Sequence, residues 1–437
     1  MSPVAAGVMG IAVLLVLLAL GMPVGAVMAL IGFVGTIYII GLDGALGIMG
    51  IIPYDAMWSY VLSCTPMFIL MGAIILHSGI AKFIYAAAHK WLGHLPGGLG
   101  MATVAACGMF AAVSGSSLAA AATMGSVALP EMDRYNYKKS FSTGIVAAGG
   151  TIGIMIPPSI IFIIYAVLTE ESIGALFMAG LIPGILEVIL YIGVIALIMK
   201  FRPHYAARAE RVPFRDMLTT IPSLWPVFLL FVIVLGGIYF GFFTPTEAGA
   251  IGAVGALIIS VASRWFSPQK MLSALSDTVK TTGMIFFIVV GAMIYSYFLA
   301  VTQLPFAIAE SAAASALPPH GVLVIVLFIY LILGCFLDAL AMMMLTVPIF
   351  TPVLFALGFN PIWTGVIIVR VIEIALITPP LGMNVYVLKG VAKDVPMEQI
   401  FFGIIPFVVG DLILLAILVA FPQISLFLPS LMYNIGQ

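Results

Sequence analysis

Gly149-Gly150-Thr151-Ile152-Gly153-Ile154-Met155-Ile156-Pro157-Pro158-Ser159 and, 222 residues further on, Thr378-Pro379-Pro380-Leu381-Gly382-Met383-Asn384 decide the fold of this chain. Each Pro-Pro pair stands inside a long apolar stretch, 141–168 in one case and 362–388 in the other. Proline has no backbone N–H and frees the carbonyl one turn earlier, so each pair must break a helix. In lipid, unpaired backbone is tolerated only where it lines a cavity or meets a ligand. A simple structural kink is the bland alternative, and its exact duplication weakens it.

Composition says that lipid is the surrounding medium. Of 437 residues 63% are hydrophobic and 8% charged, against about 25% charged in a soluble domain. The net charge of -1 and the lack of a basic run give no reason to expect nucleic acid. Cys64, Cys107 and Cys335 sit in apolar stretches and read as small buried hydrophobes. No phosphate-loop lysine motif and no metal-protease motif occurs, so ATP hydrolysis on this chain is not expected. The apolar start, 4–21, has no preceding Lys or Arg and reads as a retained span rather than a signal peptide.

Spans of roughly 20 apolar residues are expected at 4–21, 22–41, 62–80, 141–168 and 174–200 in the first half. The second half should hold 222–242, 246–264, 281–302, 362–388 and 398–422. Between them, 97–130 and 322–352 are apolar but interrupted, and read as re-entrant hairpins. A charged linker, 201–221, divides two repeats, 1–200 and 222–437. Shifting the chain by 222 residues puts Pro23, Pro96, Pro130, Pro157 and Pro158 on Pro245, Pro318, Pro352, Pro379 and Pro380. Chance gives about one such match among 27 prolines. Lys82, Lys90, Arg134, Lys138, Lys139, the linker cations, Arg264, Lys270, Lys280, Lys389 and Lys393 should lie on the cytoplasmic side. Asp43, Asp55, Glu170, Glu171 and Glu310 should lie opposite. With five full spans per half, the repeats are then expected to be inverted, an arrangement common in secondary transporters. The expected fold class is an all-α polytopic membrane protein.

The first hairpin tip, Val113-Ser114-Gly115-Ser116-Ser117, offers hydroxyls and exposed helix ends to a ligand. Helix N-termini suit a carboxylate, whereas clustered neutral oxygens suit a hard cation. A small-residue packing seam is the competing reading. The second tip, Gly334-Cys335-Phe336-Leu337-Asp338-Ala339, is less polar. Asp338 is an intramembrane carboxylate that could neutralise a cation, carry a proton or cap a half-helix. Arg370 and Glu373, three apart on one helix face, either pair or leave Arg370 to meet an anion. Glu187, Glu247 and Asp411 read as inter-helix contacts or helix-end charges, and Met342-Met343-Met344 as adaptable packing.

These motifs, together with Phe243-Thr244-Pro245-Thr246-Glu247-Ala248, resemble the large membrane subunit of tripartite ATP-independent periplasmic (TRAP) transporters, nearly end to end. The resemblance implies an elevator-type, Na⁺-driven secondary transporter with no enzymatic activity and no organic cofactor. It implies two partners, a small four-span membrane subunit and a periplasmic substrate-binding protein that delivers an organic acid such as a C4-dicarboxylate or sialic acid. A stand-alone Na⁺/dicarboxylate carrier is the alternative. The TRAP resemblance implies one sodium site on Ser114, Ser117, Gly153, Ile156 and Pro158, and a second on Gly334, Ala375, Thr378 and Leu381. Ala375 lacks the hydroxyl expected there. Ser116 and Asn384, with Asp338 and Arg370, are the substrate-side candidates, and the bacterial inner membrane is the expected location.

Overall fold

The computed structural model describes residues 1–314, 317–380 and 382–435, and among them the chain is helical with no strand. The first half opens with α1 (Pro3–Ala19), α2 (Val24–Ile40), α3 (Leu42–Trp58), α4 (Cys64–Ser78) and α5 (Ile80–Leu92). Stretch 97–130 forms a hairpin, α6 (Gly98–Ser114) and α7 (Ser117–Arg134), and 141–168 forms α8 (Lys139–Met155) and α9 (Ile160–Thr169). α10 (Ile173–Phe201), a 3-10 turn at Pro203–Tyr205 and the short α11 (Phe214–Leu218) lead into the second half. There α12 (Ile221–Tyr239), α13 (Pro245–Ala262), α14 (Pro268–Thr302) and α15 (Leu304–Ala314) precede the second hairpin, α16 (Pro319–Leu333) and α17 (Ala339–Ala356). α18 (Pro361–Ile377), α19 (Met383–Val391), α20 (Met397–Ala420) and α21 (Gln423–Ile435) complete it.

Both Pro-Pro pairs end a helix, and the cause is local. A residue before proline is pushed out of the α region. Accordingly Ile156 takes φ -77 and ψ 121, and Thr378 takes φ -88 and ψ 137. The Pro157–Pro158 and Pro379–Pro380 bonds are both cis.

The structure adds helices to those expected. Five helices, α3, α5, α11, α15 and α21, fall where no span was anticipated. α15 has only 11 residues, and α5 is amphipathic, with Lys82, His89 and Lys90 off its buried apolar face, so neither registers as a long apolar run. Length alone supports fewer than ten full spans. Among the described residues five helices (α10, α13, α14, α17 and α20) suffice unaided, and α4–α5 and α8–α9 are pairs bent by 69° and 41°. α1 and α2 have 17 residues each, about 26 Å of helix against a hydrocarbon core of about 30 Å.

Small residues bring the helices together. α8 crosses α20 where Gly144 meets Gly403, and a Cβ on Gly403 would stand 1.8 Å from the Ser140 carbonyl oxygen. α2 crosses α14 likewise, with Gly291 against the Gly25 carbonyl. Such close crossings give membrane helices dispersion contact that hydrophobicity cannot supply between apolar surfaces in lipid. Met342, Met343 and Met344 are buried packing residues, as their sequence suggests. Glu247 closes a capping box with Thr244 at the start of α13. Large apolar side chains such as Ile189, Phe228, Ile258 and Phe328 are exposed on the outside, where lipid is the solvent.

Candidate functional site

The first hairpin tip and the first helix break meet at one juncture. α6 ends because Gly115 adopts a left-handed conformation (φ +60) and returns its N–H to the Ala111 carbonyl. α7 then starts from Ser116, whose hydroxyl accepts the Ala119 N–H at 3.4 Å. Glycine is required at 115 twice over: its φ is unfavourable to other residues, and a Cβ would lie 2.6 Å from the Pro158 carbonyl oxygen. Gly153 is pressed in the same way against the Ser116 carbonyl, where a Cβ would come within 2.8 Å. Ser114, Ser116, Ser117, Gly153, Ile156 and Pro158 therefore belong to one juncture.

Oxygen is abundant there. Pro157 cannot supply the N–H that would bond the Gly153 carbonyl in a continuous helix. The Ser114 hydroxyl is buried with no hydrogen-bond partner, and so is that of Ser159. Buried unpaired hydroxyls cost stability unless something satisfies them. The C-terminal ends of α6 and α8 carry negative partial charge, and the N-terminal ends of α7 and α9 carry positive. The arrangement can hold a hard cation on neutral oxygens and an anion against helix N-termini. Ser159 was missed as a candidate; its one signal in the sequence is a hydroxyl directly after Pro-Pro.

The second juncture repeats the design with poorer chemistry. A Cβ on Gly334 would fall 2.1 Å from that of Ala375, and the Cys335 thiol reaches the Pro379 carbonyl at 3.4 Å. Cys335 is thus half-buried at the juncture rather than fully buried as the sequence suggested, because the helix break leaves its tip partly open. The Thr378 hydroxyl donates to the Ile374 carbonyl at 2.6 Å, which leaves its lone pairs free. The Ala375 carbonyl, released by Pro379, accepts the Thr378 N–H at 3.2 Å. Leu381 lies outside the described residues.

Asp338 occupies the place that Ser116 holds in the first hairpin, 222 residues earlier. Its carboxylate accepts the Ala341 N–H at 2.9 Å and caps α17. Of its three possible roles, capping is therefore the one with a visible partner. Asp338→Asn, which keeps the cap, should retain uptake near the wild-type rate, whereas Asp338→Ala should lose about 1 kcal/mol of tip stability and slow transport. Equal loss of uptake in both variants would mean that the charge itself is needed.

The remaining candidates lie deeper. Asn384 is fully buried on α19; its Nδ2 donates to the Ala147 carbonyl of α8 at 3.4 Å, and its Oδ1 has no partner. It thus touches both broken helices. Arg370 of α18 is fully buried among three acids. Its guanidinium lies 2.8 Å from Glu187 of α10 and 2.9 Å from Glu373, and also bonds Asp411 of α20. Tyr191 donates to Asp411 at 2.8 Å, and the Thr151 hydroxyl lies 3.1 Å from Glu187. Pairing with Glu373 is present as the sequence spacing allows, and Glu187 and Asp411 are the inter-helix contacts they were read as. The three-helix network they form with Arg370, across α10, α18 and α20, was not visible in sequence.

Broken helices meeting hairpin tips inside an apolar, lipid-facing body define a polytopic membrane transporter. The YdaH transporter of Alcanivorax borkumensis shares the fold, with a TM-score of 0.62 at 16% identity over 88% of this chain and 90% of that one. Residues 11–424 match the family described as Tripartite ATP-independent periplasmic transporter, DctM component, and the chain belongs to that family. Among its relatives, the C4-dicarboxylate TRAP transporter large permease protein DctM of Pseudomonas aeruginosa is 38% identical over 403 residues, 90% of this chain and 93% of the relative. The sialic acid TRAP transporter large permease protein SiaM of Vibrio cholerae is 34% identical over 381 residues, covering 87% and 88%. The resemblance read from the hairpin and Pro-Pro motifs is borne out: this is a TRAP large permease subunit, multi-pass in the inner membrane.

Proposed function

We propose that this permease imports an organic acid in symport with Na⁺, receiving it from a periplasmic binding protein and working beside a small four-span membrane subunit. The observation that carries the proposal is the first juncture, where two buried, unpartnered hydroxyls, Ser114 and Ser159, flank a proline-broken helix. Neutral hydroxyl and carbonyl oxygens match a hard monovalent cation. The P. aeruginosa and V. cholerae relatives are named for C4-dicarboxylates and sialic acid, which supports a carboxylate substrate.

In this reading Ser114, Ser117, Gly153, Ile156 and Pro158 hold one Na⁺, and Gly334, Ala375, Thr378 and Leu381 hold a second. Ser116, Asp338 and Asn384 face the substrate. Arg370 keeps the acid network together and acts on substrate only through helix position. The two halves are inverted repeats. The hairpins and broken helices move as one body against the remaining helices, carrying the site across the membrane. Coupling follows because cation and anion order the same tips, so each favours the binding of the other.

The test is uptake of labelled C4-dicarboxylates and sialic acid into proteoliposomes holding this chain and its small subunit. Concentrative uptake should require both an inward Na⁺ gradient and added binding protein. Uptake that proceeds with either one omitted would refute the proposal.

A further inference from the structure

A cavity of about 670 Å³ lies away from both junctures, where the start of α8, the end of α10, the Pro203–Tyr205 turn and the start of α20 come together. Its polar rim is basic. Lys138, Lys139 and Arg202 line it, and none of the three has a carboxylate at ion-pairing distance among the described residues. Two of these cations converge instead on a neutral phenol. Lys138 Nζ donates to the Tyr205 hydroxyl at 3.2 Å and stands 4.4 Å from the ring centre, while Arg202 donates to the same oxygen. Hydrogen bonds from Lys138 and Arg202 hold the Tyr205 hydroxyl below its ordinary range. α8 and α20 both begin here without a side-chain cap, which adds the positive ends of two helices. Such an excess of positive charge calls for an anion.

The rest of the cavity wall is apolar. Leu197 and Phe201 of α10 and Phe402 of α20 line it and are themselves exposed. These walls belong to two long membrane helices, so the cavity opens towards lipid. A soluble anion would gain nothing from that surface, whereas a phospholipid would place its phosphate on the cations and its chains along the walls.

We infer that this cavity binds the headgroup of an anionic phospholipid from the leaflet on the protein's basic, cytoplasmic side. Basic pockets between membrane helices at that depth attract anionic lipid through charge and buried chain area together. The lipid bridges α10 and α20, the two helices that bring Glu187 and Asp411 to Arg370.

The experiment is native mass spectrometry of delipidated protein titrated with phosphatidylglycerol or with phosphatidylcholine. The wild type should bind one phosphatidylglycerol in preference to phosphatidylcholine. Near-surface cations contribute about a factor of five each, so Lys138→Ala with Arg202→Ala should weaken that binding roughly twenty-five-fold. Lys139→Glu, an exposed change that suits a helix N-terminus, should weaken it as well and serves if the double variant does not fold. Arg208→Ala with Arg211→Ala, in the linker outside the cavity, should bind like the wild type. Unchanged phosphatidylglycerol affinity in Lys139→Glu, or in a folded double variant, overturns the inference. So does displacement of the lipid by millimolar inorganic phosphate, which would make the cavity a soluble-anion site.

Discussion

Arg370→Met should leave almost no folded protein in the membrane. The side chain is fully buried, and among the described residues it is the one cation in contact with Glu187, Glu373 and Asp411. Removing one partner of a buried ion pair costs about 3–5 kcal/mol, because the other charge is left uncompensated. Three acids lose their partner here, and the total stability of a folded domain is only about 5–15 kcal/mol. The acids themselves should behave differently. Glu373→Gln keeps a hydrogen-bond acceptor for the guanidinium and lowers the excess of negative charge, so it should cost little. Size-exclusion profiles of detergent extracts distinguish the two cases. A monodisperse Arg370→Met peak at wild-type yield would show that the network does not hold α10, α18 and α20 together.

The second large effect concerns transport rather than folding. Ser114→Ala with Ser117→Ala removes two hydroxyls from the first juncture and adds no bulk. The Ser114 hydroxyl has no partner to lose, so the fold should tolerate its removal. Each contact between a polar group and an ion contributes about 1.5–3 kcal/mol. Losing two should therefore weaken Na⁺ binding by roughly two to four orders of magnitude. Uptake at ordinary Na⁺ should fall to background while the melting profile stays close to wild type.

Some of this was legible in sequence and some was not, for physical reasons. The breaks at 156–159 and 378–380 could be read directly, because proline's missing donor acts through covalent geometry alone. The tip at Ser114–Ser117 was legible for a similar reason: glycine and serine between apolar runs end one helix and cap the next. Helices α5 and α15 were hidden, being too short or too mixed to resemble a span. The Arg370 network was hidden for a different reason. The i, i+3 spacing exposes Glu373, but nothing along the chain announces that Glu187 and Asp411 arrive from α10 and α20. Such partners are chosen by helix packing, here by close glycine crossings such as Gly144 on Gly403. Ser159 fell between the two cases, since its position after Pro-Pro is local but its burial against Gly115 is tertiary.

The most direct measurement is the Na⁺ activation curve for uptake by the reconstituted complex, wild type beside Ser114→Ala with Ser117→Ala, with choline replacing Na⁺ at constant ionic strength. The account predicts saturable activation in the wild type and, in an equally stable double variant, a flat response at background. The same activation curve in both proteins would contradict it and remove the first hairpin tip from the ion site.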